Sequence, residues 1–164
     1  MKVKIRKARL SDVQAITDIY NQVILTSTAT FDTEPKTIEE RRRWLTSRGR
    51  RFPVFVGEVD GEVMGWGALS PISERGAYFK TAEVSVYVKE GFRNRGVGRS
   101  ILQKLIEFAR EANFHTLIAQ VVKGNEVSVH LLESFGFKKV GTLREIGYKF
   151  EKYLDVEVLQ LIFD

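Results

Sequence analysis

Residues 81–112 place an alternating strand, a glycine turn and an amphipathic helix in immediate succession. In the strand over 81–89, Ala82, Val84, Val86 and Val88 share one face, and Thr81, Glu83, Ser85 and Tyr87 share the other. In the helix over 97–112, Ile101, Leu105 and Phe108 form the apolar stripe, with Gln103, Glu107 and Arg110 opposite. The turn between them, GFRNRGVGRS (91–100), holds Gly96 and Gly98 among Arg93, Arg95 and Arg99. Glycine lets a ligand approach the backbone closely. A helix that starts at Val97 offers free N–H groups and the positive end of its dipole. Together these make an anion site, and a phosphate-bearing ligand suits it.

Two common phosphate loops are excluded by residue. A nucleoside triphosphate loop needs G-x-x-x-x-G-K-[ST], and no lysine stands where that loop requires it. A dinucleotide loop needs a third glycine, and Ile101 occupies that place. What remains is R-x-x-G-x-G over Arg93 to Gly98.

The other segments supply partners for this unit. VKIRKA (3–8) reads as a strand. Ser11 reads as the cap of a helix through DVQAITDIYNQVIL, with Val13, Ile16, Ile19 and Val23 at helical spacing. STATFDTEPKT (27–37) is turn-rich. Thr37 and Glu40 form a capping box for a second helix that turns Trp44 and Leu45 inward. PVFVGEV (53–59) and EVMGWGAL (62–69) flank Asp60-Gly61 as a β-hairpin. HTLIAQVV (115–122) is a strand, NEVSVHLLESF (125–135) a short helix stopped by Gly136, and FKKVGTL (137–143) and DVEVLQLIF (155–163) are closing strands. The order β-α-α-β-β-β-α-β-α-β-β predicts an α/β sandwich around a mixed sheet. One domain over residues 1–164 is expected, since 164 residues bury a sizeable core without staples.

Composition narrows the chemistry. There is no cysteine, which removes disulfides, thiolate metal sites and a cysteine nucleophile. The two histidines, His115 and His130, are too few and too separated for a histidine metal site, so no metal is expected. MKVKIRKARL lacks the apolar core of a signal peptide, and no run approaches a membrane span. A soluble cytoplasmic protein is expected. The net charge of +5 suits either a nucleic acid or a small phosphorylated ligand. Aromatic residues fall at predicted core positions rather than among Lys and Arg on one face, which argues against nucleic acid. Glu83 on its strand face is either a lone solvated charge or a general base whose pKa is raised in a half-buried cleft.

R-x-x-G-x-G after a long strand is followed by N-x-x-S-x-x-L-x-E-x-x-G-F over Asn125 to Phe137. Together with TSTATFDTEP, GTLREIGYKF and YLDVEVLQL, this resembles the GNAT acetyltransferases, and within them the phosphinothricin and methionine sulfoximine N-acetyltransferases. The resemblance implies the GNAT fold: a mixed sheet of about seven strands flanked by four helices. It implies acetyl-CoA as cosubstrate. The pyrophosphate would rest on Asn94, Arg95, Gly96, Val97, Gly98 and Arg99. The pantetheine arm would run along Val86, Tyr87 and Val88, near Asn125. Glu83 would be the general base for direct attack of an amine on the thioester. Arg75 would grip the carboxylate of a small amino-acid-like acceptor, with Ser73, Glu74, Glu83, Val84 and Ser85 lining its pocket and Phe31 as a wall. A homodimer is also implied.

Two positions depart from the family pattern. The seventh residue after Asn125 is commonly Tyr or His, proposed to reprotonate the thiolate, and here it is Leu132. His130 is two residues earlier and points away on a helix. The usual C-terminal Trp is Tyr153. The alternatives are an acetyltransferase for a protein N-terminus, lysine or polyamine, and a basic nucleic-acid-binding module.

Overall fold

The structure is a computed structural model, and it describes residues 2–164. Seven strands form one sheet: β1 (Lys4–Lys7), β2 (Val54–Val59), β3 (Glu62–Pro71), β4 (Thr81–Val88), β5 (Thr116–Val122), β6 (Lys138–Lys149) and β7 (Lys152–Ile162). Four α-helices accompany them: α1 (Val13–Thr26), α2 (Ile38–Thr46), α3 (Val97–Glu111) and α4 (Glu126–Ser134). The sheet order is β1-β2-β3-β4-β5-β7-β6. Every neighbouring pair is antiparallel except β4 and β5. A parallel pair needs a crossover, and α3 supplies it.

Side-chain alternation divides the core into two layers. Ile16, Ile19, Tyr20 and Ile24 of α1 pack on Val54, Val56, Trp66 and Ala68. On the opposite face Ile101, Leu102 and Leu105 of α3 pack on Phe55, Leu69, Ala82 and Leu117, and Val129 and Leu132 of α4 join them. Gly67 lets α3 lie close: a methyl added there would sit 2.6 Å from Ile101 Cγ2. This close approach sets the start of α3 against the end of β4.

Local chemistry accounts for most boundaries. Asp60 and Gly61 both take positive φ, 52° and 82°, as a two-residue hairpin turn between β2 and β3 requires. The Thr37 hydroxyl accepts the Glu40 N–H at 3.1 Å and caps α2. The reciprocal half of the expected capping box is absent; the Glu40 carboxylate instead accepts the Thr37 hydroxyl at 3.3 Å. Ser11 does not cap α1. A 3-10 turn over Leu10–Asp12 precedes the helix, and Asp12 stands at the cap position. Its buried carboxylate is engaged instead by Arg6, through bonds of 2.7 and 2.9 Å, and by the Arg9 N–H at 2.7 Å. That partnership outcompetes the helix end. Burial alone would raise the Asp12 pKa, but the Arg6 and Arg9 contacts hold it below the ordinary carboxylate value.

Strand β6 runs well past the expected end at Leu143. Its pairing with β7 breaks between Leu143 and Gly147, where Glu145 takes φ 54°. The Glu145 N–H there donates to Asp155 Oδ1 at 2.7 Å. The bulge lets the strand resume and reach Lys149. Phe108, expected on the buried stripe of α3, is only partly buried; Leu102, Ile106 and Ala109 take the deeper places.

Candidate active site

The site begins where the sheet divides. β4 and β5 pair only over Thr81–Glu83 and Thr116–Ile118. Beyond Glu83, β4 stays with β3 as far as Val88, and β5 stays with β7 as far as Val122. The two halves therefore diverge and leave a fork. The Lys80 carbonyl faces β5, accepting from His115 and Thr116, and the Lys89 N–H faces β3, donating to Met64. By strand alternation the backbone groups of Val84, Val86 and Val88 face into the fork, with no strand to pair them.

A cavity of about 330 Å³ occupies this fork. Glu83, Val84, Ser85, Val86, Tyr87 and Asn125 line it, and Phe31 forms part of its wall. Seven of the residues named from sequence are thus brought together. Val88 and the turn residues Asn94, Arg95, Gly96, Val97, Gly98 and Arg99 lie beyond this cavity, at the far end of β4. They remain continuous with it, because a methyl on Gly98 would contact Val88, Leu131 and Val86 at 3.5 to 3.9 Å, and the last two line the cavity. Ser73, Glu74 and Arg75 do not line it. They belong to the loop that joins β3 to β4, and Ser70, just before that loop, pairs with Glu83. The loop therefore sits at the Glu83 end of the fork.

Glu83 is the last β4 residue to pair with β5. Its half-buried carboxylate accepts a hydrogen bond from Gln120 Nε2 at 2.7 Å. Burial raises its pKa, and the Gln120 bond opposes the rise. The result is a carboxylate that holds a proton better than a solvated one, at the closed end of the fork.

The opposite end suits an anion. Gly96 takes φ 86° at the cap position of α3, a conformation that favours glycine. The first helical bond runs from the Ser100 N–H to the Gly96 carbonyl, so the N–H groups of Val97, Gly98 and Arg99 have no acceptor within the helix. Arg99 donates to Ser134 Oγ at 3.1 Å, tying the turn to α4. Asn125 caps α4 by accepting the Ser128 N–H at 3.3 Å. Leu132, at the position of the family's acid, is buried, and His130 is exposed beside Glu126.

Several lining residues were not singled out in the sequence. Thr28, Ala29 and Thr30 form a wall with Phe31, and Gln120 supports Glu83. The signal for Gln120 was present as a polar residue interrupting the apolar strand HTLIAQVV. Lys149 fixes the wall, donating to the carbonyls of Ser27 at 2.7 Å and Thr30 at 2.8 Å. Behind it, the buried Arg41 guanidinium lies 3.7 Å from the Trp44 ring and 4.7 Å from the Tyr20 ring. Its Nε and Nη2 have no hydrogen-bond partner among the described residues. Those residues also contain no group of three His, Cys, Asp or Glu placed to hold a metal.

A divided sheet with a carboxylate at the closed end and an N–H-rich turn at the open end suits an extended thioester cosubstrate. Comparison with known proteins agrees. The family model described as an acetyltransferase (GNAT) domain matches residues 5–158. The chain is 36% identical to a phosphinothricin N-acetyltransferase of Streptomyces coelicolor, over 94% of this chain and 93% of that one. It is 33% identical to an L-methionine sulfoximine/L-methionine sulfone acetyltransferase of Pseudomonas aeruginosa, over 100% and 96%. The structure of a phosphinothricin acetyltransferase from Sinorhizobium meliloti in complex with acetyl-CoA superposes with a TM-score of 0.93 at 28% identity, covering 99% of this chain and 89% of that one. A ribosomal-protein-alanine N-acetyltransferase from Brucella melitensis superposes with a TM-score of 0.95 at 38% identity, covering 98% and 99%. The chain belongs to the GNAT acetyltransferase family. It is an acetyl-CoA-dependent N-acetyltransferase.

Proposed function

We propose that this enzyme acetylates the amine of a small amino-acid-like acceptor of the methionine sulfoximine, methionine sulfone or phosphinothricin type. The observation that carries this reading is Glu83, whose carboxylate sits half-buried at the end of a cavity of about 330 Å³. An α-amine reaches the site mostly as ammonium and cannot attack until it loses a proton. Glu83, with its raised pKa, takes that proton directly or through a water. The amine nitrogen then attacks the thioester carbon, and the tetrahedral intermediate collapses with loss of the CoA thiolate. With Leu132 at the position of the family's acid, water reprotonates the thiolate.

In this reading acetyl-CoA lies along the fork. The free N–H groups of Val97, Gly98 and Arg99, with Asn94, Arg95 and Gly96, hold the pyrophosphate. The backbone of Val86 and Val88 holds the pantetheine arm beside Tyr87 and Asn125, and an N–H in that row polarises the thioester carbonyl. Arg75, with Ser73 and Glu74, closes the acceptor end and pairs with a carboxylate. The two relatives named for phosphinothricin and methionine sulfoximine support the acceptor class.

A homodimer in the cytoplasm completes the reading. The β6–β7 hairpin exposes Leu143, Ile146, Tyr148, Phe150 and Tyr153, each at least 42% exposed. Such an apolar ridge suits a second copy of the chain.

A second reading, acetylation of a protein N-terminus, is favoured by the similarity to the Brucella structure. Thiol release over a panel of amines separates the two. Turnover of methionine sulfoximine or sulfone is expected. Activity on an alanine-ended peptide, with none on any free amino-acid analogue, would overturn the first reading.

A further inference from the structure

We infer that Lys149 is a positioning residue for the acceptor: from the edge strand β6 its ammonium closes the turn that walls the Glu83 face of the cavity, and so sets how tightly the amine binds without acting on acetyl-CoA. This rests on the placement of acceptor and cosubstrate proposed above.

The two faces of the sheet separate the two substrates. Val84, Val86 and Val88 join the core on the α3 face. Tyr87 packs on the α1 face, with its ring 5.2 Å from Tyr20 and 5.0 Å from Trp66. Alternation puts the Glu83 side chain on that same α1 face. The start of α3, which suits the pyrophosphate, lies on the other. An amine deprotonated by Glu83 therefore stands on the α1 side of β4. Thr28, Ala29, Thr30 and Phe31 follow the end of α1 and line the cavity there.

Ser27 to Phe31 belong to no helix or strand. One side chain holds both ends of the turn they make. The carbonyls of Ser27 and Thr30 both accept from Lys149 Nζ, at 2.7 and 2.8 Å. A β-turn commonly closes on the N–H three residues ahead. Here an ammonium takes the Ser27 carbonyl instead, and the Thr30 carbonyl with it, so that Thr28 and Ala29 are bracketed between them.

The hairpin places that ammonium. Phe150 and Glu151 take φ 52° and 61°, as a two-residue turn requires, and the turn pairs Lys149 with Lys152. Tyr148 faces outward, while Gly147 and Lys149 are buried on the other face of β6. Both meet the wall: the Phe31 ring fills the space over Gly147, and Lys149 takes the two carbonyls. Lys149 is 6% exposed and does not itself line the cavity, so it acts through the turn.

Without the ammonium the two carbonyls lose their partner. The turn then spreads over other shapes, because backbone entropy favours them. The acceptor meets an ordered wall only part of the time, and its apparent affinity falls by that fraction. Acetyl-CoA rests on the β4 backbone and the α3 turn, which Lys149 does not touch.

The test is steady-state kinetics of Lys149→Met in the full chain, with an amine of the panel above that the parent enzyme acetylates. The KM for that amine is expected to rise about tenfold, with kcat and the KM for acetyl-CoA within about twofold of the parent. Amide hydrogen exchange should quicken at residues 28–31 and stay unchanged in β4. An unchanged acceptor KM, an equal rise in both KM values, unchanged exchange at 28–31, or a variant that no longer binds acetyl-CoA in calorimetry would overturn the role. The two ideas fail separately. A parent enzyme that acetylates only a peptide removes the free amino-acid acceptor, and the Lys149→Met comparison is then read on that peptide with the same outcomes.

Discussion

Phe31 occupies the space that a side chain at position 147 would need: a methyl on Gly147 would lie 2.3 Å from Phe31 Cε2. The edge strand β6 thus sets the position of a cavity wall. Gly147→Ala should push the Phe31 ring out of place. The expected result is a several-fold rise in KM for the acceptor, with KM for acetyl-CoA unchanged. A stability loss of about 1–3 kcal/mol should accompany it, from overpacking. Steady-state kinetics and thermal melting check both.

Gln120 donates to the Glu83 carboxylate and favours its charged form. Gln120→Leu removes that bond and leaves burial unopposed, so the Glu83 pKa should rise further. Since the base works when ionised, the acid limb of the pH profile of kcat/KM should move to higher pH. A profile that stays in place, or moves to lower pH, would contradict this role for Gln120.

Arg41 is a buried cation stacked among aromatic rings. Burial lowers its pKa, with Tyr20 and Asp32 acting in the other direction. A guanidinium with two unpartnered nitrogens carries a desolvation cost that stacking on Trp44, Tyr20 and Trp66 repays only in part. Arg41→Met, which fills a similar volume, should therefore raise stability by about 1–3 kcal/mol. Chemical denaturation measures it.

How much of this was legible in the sequence depends on the range of the interaction. The Asp60-Gly61 hairpin, the Thr37 cap and the strand–turn–helix unit around Gly96 are local, and their residues name them directly. Glu83 could be placed on the correct strand face by alternation alone. The point where β4 parts from β5 could not be read, because it depends on pairing between strands that are not neighbours in the chain. The same holds for Lys149, which binds carbonyls more than a hundred residues away. Arg41 was hidden for another reason. In IEERRRWL it stands among three arginines, and only packing against Tyr20 and Trp66 distinguishes the buried one from two exposed neighbours. The Ser11 cap failed because Asp12, one position on, had a stronger partner in Arg6.

The central claim is that Glu83 accepts the proton that frees the acceptor amine. The direct measurement is kcat for Glu83→Gln against pH, with methionine sulfoximine and acetyl-CoA saturating. Glutamine keeps the shape and the contact with Gln120 but cannot take a proton. The rate at neutral pH should fall by about a hundredfold or more and recover in part as pH rises and free amine accumulates. A Glu83→Gln enzyme with the parent's rate and pH profile would contradict the account.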